Sequence, residues 1–137
     1  MFIIDLKKTS VSIGAVDRKG SVWVNRRTKD AVGTMTALVQ KIGHKKPTHV
    51  VLVNYRHAEK TDLQPSWSQF RAGAVLANTT ALAWGVPVHE LMLTKPLRKP
   101  QLIARAVEKV HTTKPDPWII PTYNADPNIT TPKPTVL

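Results

Sequence analysis

Ser66 to Trp84, SWSQFRAGAVLANTTALAW, carries a single charge, at Arg71. Ser66 and Gln69 stand at capping-box spacing, and Gly85 ahead of Val86-Pro87 closes the segment, so the stretch predicts a helix over 66–84. At about 1.5 Å per residue it spans roughly 28 Å, the width of a small domain. Ala72, Val75, Leu76, Thr79, Leu82 and Ala83 recur on one face, while Trp67, Phe70, Ala74, Ala77, Asn78 and Ala81 make the opposite one. A helix apolar on both faces needs cover on both, and a domain of this size readily supplies one. The second face therefore reads as a contact surface for another helix, with its small residues permitting close approach. The alternative is a central helix sandwiched within its own fold. A membrane span is not expected: the apolar run falls short of the ~20 residues required and is broken by Asn78, Thr79 and Thr80.

On either side lie strands. Thr48 to Asn54 (THVVLVN) is continuously apolar, as a buried parallel strand is, and Pro87 to Met92 reads as a second short one. Strand, helix, strand at this spacing indicates an α/β layer fold. Upstream, Phe2 to Leu6, the alternating Ser10 to Val16 (SVSIGAV) and Ser21 to Asn25 are separated by the short turns Lys7-Lys8-Thr9 and Asp17 to Gly20, an antiparallel meander. Asp30 caps a helix over 31–42, in which Met35, Leu38, Val39 and Ile42 share a face and Gly43 ends the run. Tyr55 to Pro65 is a polar connection. Pro96 and Pro100 bracket a turn, after which Leu102, Ile103, Ala106, Val107 and Val110 repeat as an amphipathic helix packed on the sheet. The domain thus covers 1–111. Residues 112–137 hold six prolines and form neither a regular helix nor a central strand, yet Trp118-Ile119-Ile120 and Tyr123 are too apolar for a linker. An extended arm is expected, laid along the domain or a partner and fraying after about Thr130.

The 137 residues include 20 lysines and arginines against 9 acids, a net charge of +11 and an isoelectric point near 10.3. An anionic partner or a positive contact face is consistent with that balance. The cations are scattered, and no recognisable nucleic-acid-binding motif accompanies them. Cysteine is absent, which excludes disulfides, thiolate metal sites and cysteine nucleophiles. The five histidines show no metal-ligand spacing, and no GxSxG elbow is present. No signal-peptide pattern opens the chain, so a cytoplasmic location is expected. Asp5, ending the first strand, is the best candidate for metal or acid–base work. That position suits actin-like phosphotransferases and RNase H-like nucleases alike, and a two-metal nuclease needs further carboxylates converging on it. Asp17 lies in a turn and Glu59 and Asp62 in a loop, so no strand-borne partner is evident. Lys7-Lys8-Thr9 lacks the glycines of a phosphate-binding hairpin, although the two lysines could hold a phosphate as point charges.

The order of these elements, and above all SWSQFRAGAVLANTTALAWGVPVHEL, resembles the N-terminal domain of the TsaB (YeaZ) family. Ser66, Trp67, Arg71, Gly73, Gly85 and Pro87 fall in register with that family's S-F-T-G-L-R-x-G segment and the G-[IV]-P that ends its helix. Pro121, Tyr123, Pro127 to Thr130 and Pro132 resemble the ending of shorter members. Leu63-Gln64-Pro65 replaces the family's G-P-G, and Ser68-Gln69 replaces its threonine and glycine. The resemblance implies a single actin-like/RNase H-like domain with a mixed five-stranded sheet, and the family's second, cleft-closing domain is expected to be missing. It further implies a non-catalytic scaffold without a cofactor. Such a subunit binds TsaD through the helices at 31–42 and 66–84, or itself when TsaD is absent. It supports N6-threonylcarbamoyladenosine modification of tRNA, which its basic surface could help to hold. The interface expected on these grounds comprises Met35, Leu38, Trp67, Phe70, Arg71, Ala74, Ala77, Asn78 and Ala81. The competing readings are a small basic nucleic-acid-binding module and an RNase H-like nuclease using Asp5.

Overall fold

The computed structural model describes residues 1–55 and 63–121. Its central feature is the continuous apolar run of β4 (Val50–Asn54), every residue of which is buried. Such a strand survives only with a neighbour on each edge and a layer on each face. It lies parallel to β1 (Phe2–Leu6) on one side and to β5 (Val88–Met92) on the other. Outside β1 lie β2 (Val11–Asp17), largely buried over its first half, and β3 (Gly20–Arg26), the more exposed edge strand, as an antiparallel meander. The sheet is mixed and five-stranded, in the order β3-β2-β1-β4-β5.

Helices α1 (Ala31–Ile42) and α2 (Trp67–Trp84) cover one face, where Phe2, Ile4, Leu6, Ile13 and Leu52 meet Met35, Leu38, Phe70, Ala74 and Ala77. Helix α3 (Lys99–Thr112) covers the other, where Ile3, Val51 and Val53 meet Leu102 and Ala106. The caps follow the sequence. Asp30 Oδ1 accepts from the Gly33 N–H at 2.8 Å. Ser66 and Gln69 bond reciprocally, at 2.8 and 3.2 Å, and the Gln69 amide also donates to the Lys8 carbonyl, so the residue that stands in for a glycine ties α2 to the β1–β2 turn. Gly85 is left-handed (φ 64°), which lets its N–H reach Leu82 O and that of Val86 reach Ala81 O.

Pro100 departs from expectation. It sits in the first turn of α3 rather than in the preceding turn. Its missing N–H is among the donors a helix start leaves unpaired, so proline costs nothing there.

The first part of the proline-rich arm lies along its own domain. Ile119 is buried in the α1–α2 core, and its N–H and C=O pair with the Asn78 side chain at 2.9 and 3.1 Å. Asn78→Ala removes both bonds and leaves a half-buried N–H without an acceptor, a loss of about 1–3 kcal/mol. The expected result is a lower melting temperature together with several-fold faster chymotrypsin cleavage after the exposed Trp118, read by limited proteolysis. Unchanged cleavage would mean that Asp116 alone fixes the arm. The motif around Tyr123 and Pro127–Thr130, the fraying point, and the loop with His57, Glu59 and Asp62 lie outside the described residues.

Candidate functional site

A row of residues in register crosses the α3-side face of the sheet: Asn25, Ser12, Asp5, Val53 and Leu91. The row is polar on the meander and apolar on the parallel strands, and Asp5 stands where the two meet. Its side chain is only 7% exposed. Tyr55, the residue after β4, donates its hydroxyl to Asp5 Oδ1 at 2.8 Å, and Lys7 Nζ lies 3.9 Å from Oδ2. Lys99, at the start of α3, donates to Asn25 Oδ1 at 3.0 Å and lies over the Trp23 ring. Burial raises the Asp5 pKa above the usual carboxylate value, against the opposing pull of Lys7, the Tyr55 hydroxyl and Lys99. Burial and the adjacent carboxylate likewise push the Tyr55 phenol above its ordinary range.

Asp5 therefore pins the end of β1 to the end of β4, and one of the two turn lysines is drawn towards it. No second described carboxylate joins it. Glu90 registers with Leu52, on the opposite face of the sheet, where its Oε2 is 3.4 Å from Asn54 Nδ2. Asp17 is the last residue of β2, paired with Gly20 of β3, rather than a turn residue, and among the described residues no cluster of three or more His, Asp or Glu is placed to hold a metal ion.

A carboxyl group whose folded pKa exceeds its unfolded value favours folding in the protonated form. Its contribution is complete below the unfolded pKa and is lost as pH rises through the folded one. Asp5→Asn keeps an acceptor for Tyr55 and removes this penalty. It should melt above the parent near neutral pH, by a margin that shrinks towards about pH 4. Equal margins at both ends of that range would refute a raised Asp5 pKa.

The second feature is the outer surface of the helical layer. The expected interface residues Phe70, Ala74, Ala77 and Ala81 are buried against the chain's own sheet, as are Met35 and Leu38 of α1. Asn78 clamps the arm. Trp67 is half-buried, and the exposed Arg71 lies 5.2 Å from its ring. The expected orientation of α2 is thus reversed. The strands supply the bulk, so the helix side facing them must be small: a Cβ on Gly73 would collide with Leu6. What α2 turns outward is Ala72, Val75, Thr79, Leu82 and Ala83, with Val75 at 58% and Leu82 at 69% exposure. On α1, Val32 is likewise exposed.

An uncharacterized protein with similarity to peptidase YEAZ from Pseudomonas aeruginosa superposes with a TM-score of 0.53 at 10% identity, over 66% of this chain and 42% of that one. YeaZ from Pseudomonas aeruginosa gives 0.52 at 9% identity over the same shares. The fold resembles that of YeaZ. This chain spans less than half the length of either YeaZ-like structure. Thermus-type RuvC, solved as "T. thermophilus RuvC in complex with Holliday junction substrate", gives a TM-score of 0.40 at 23% identity, over 80% of this chain and 74% of its own. No family model and no curated protein matches the sequence. Among the described residues, no helix is long and apolar enough to cross a membrane.

Proposed function

We propose that this domain is a non-catalytic partner subunit of TsaB type, docking on TsaD through the outward face of α1 and α2 and so supporting N6-threonylcarbamoyladenosine formation on tRNA. The observation that carries the reading is the outer stripe of α2, where Val75 and Leu82 are uncovered in a helix with no charge beyond Arg71. Isolated exposed apolar residues are common, but a helix whose solvent side is wholly uncharged from Ala72 to Ala83 is a surface suited to another helix. Ala72, Thr79 and Ala83 between the larger side chains would let a partner approach towards the short end of ~8–10 Å. The likeness of the overall fold to YeaZ supports the reading. A pair of copies joined through the same stripe is the substitute when TsaD is absent. The test is the solution mass by light scattering, alone and mixed with TsaD of the same organism, at low and high salt. A complex that persists in high salt is expected, because apolar contacts are not screened. A chain that stays monomeric with TsaD present would sink the proposal.

A further inference from the structure

At the end of the sheet remote from Asp5, where β1 begins, an open groove of about 1240 Å³ runs between three elements. They are the β2–β3 turn, the end of α1 with its loop to β4, and the end of α3. Its volume exceeds the ~300–1000 Å³ of small-molecule sites, so it suits a segment of a polymer.

The rim carries Arg18 and Lys19 from the turn, Lys41 from α1, and Lys45 and Lys46 from the loop. None of the five makes an ion pair among the described residues. The rim's acid, Asp17, is occupied by its own turn, where Oδ1 accepts from the Lys19 and Gly20 N–H groups at 2.7 and 3.1 Å. The C-terminal ends of α1 and α3 each contribute roughly half a negative charge, which a single lysine apiece would offset. With the five cations set against the Asp17 carboxylate and these two half-charges, the groove is left about three charges positive. Its floor is apolar, with Val16, Ile42, Val107 and Val110. His49 and His111 also line it, and the His49 ring is backed by the buried His89 ring at 5.6 Å between centroids.

Cations along the edges, an apolar floor and flat rings are the parts of a site for an unpaired strand, with phosphates on the rim and bases resting below. An acidic peptide would use the cations but has no need of the rings. We propose that this groove binds single-stranded nucleic acid, on a face separate from the α1–α2 layer and independent of whatever docks there.

The test is fluorescence anisotropy with a labelled 15-nucleotide oligouridine, a duplex of the same length, and a polyglutamate chain of matching charge as competitor. With three phosphates neutralised, log K against log salt should slope at about −2.1, a loss of about twentyfold between 50 and 200 mM. Lys45→Glu/Lys46→Glu, both exposed, should weaken binding at least ~tenfold at the lower salt and flatten the slope by about 1.4. Lys95→Glu/Arg98→Glu, exposed at the opposite end of the sheet, should leave affinity within about twofold, because charges beyond a Debye length are screened. Circular dichroism melts matching the parent would verify that both variants fold. Equal loss in the two double variants would make the effect one of diffuse charge and overturn the site. So would absence of binding at 50 mM, a duplex held more tightly than the strand, or displacement of RNA by polyglutamate at equal concentration.

Discussion

Val75→Glu combined with Leu82→Glu should abolish association with TsaD while leaving the melting temperature nearly unchanged. Both side chains are more than half exposed and make little of the core, so their replacement costs the fold little. At an interface the balance is different. A carboxylate carried into an apolar helix contact is desolvated without a partner, and central positions of this kind are worth about 2 kcal/mol or more each. Two such losses amount to about a thousand-fold in affinity, enough to return the mixture to separate species in light scattering. A double variant that still binds with parental strength would remove the outer face of α2 from the interface.

The converse substitution, Ala77→Arg, should destroy the fold. Ala77 is completely buried in the layer between α2 and the sheet, beside a helix glycine that already touches Leu6. An arginine there has neither space nor a counter-charge, and an uncompensated buried charge costs several kcal/mol against a total stability of about 5–15 kcal/mol. The expected observation is loss of the cooperative thermal transition in circular dichroism. A folded, soluble Ala77→Arg protein that fails to bind would instead restore the inward face as the contact surface. Together the two variants determine which way α2 faces.

Much of the architecture is legible in the residues because local chemistry and pattern agree. The run Val50–Val53 can be satisfied only inside a sheet, Val11 and Ile13 of SVSIGAV flank Ser12 because they face the α1–α2 layer, and both caps of α2 are written in its terminal residues. The direction of α2 is not legible, since a helix apolar on both sides carries no phase. The size of its residues held the missing information: the small side, with Gly73, Ala74, Ala77 and Ala81, belongs against bulky strands. Tyr55 on Asp5 and Asn78 on Ile119 join residues 50 and 41 positions apart, and no local motif marks either pairing. The groove cations come from separate elements and share a rim through the order of the strands.

The bond from the Asp116 N–H to the Val88 carbonyl, and that from the Glu90 N–H to the Asp116 carboxylate, have a bearing on solubility. β5 is an outer strand of the sheet, and its free backbone groups would otherwise invite a stranger's strand to extend it. By occupying the outward carbonyl of Val88 and amide of Glu90, the arm works as a built-in guard against aggregation, closing that margin to cross-β growth.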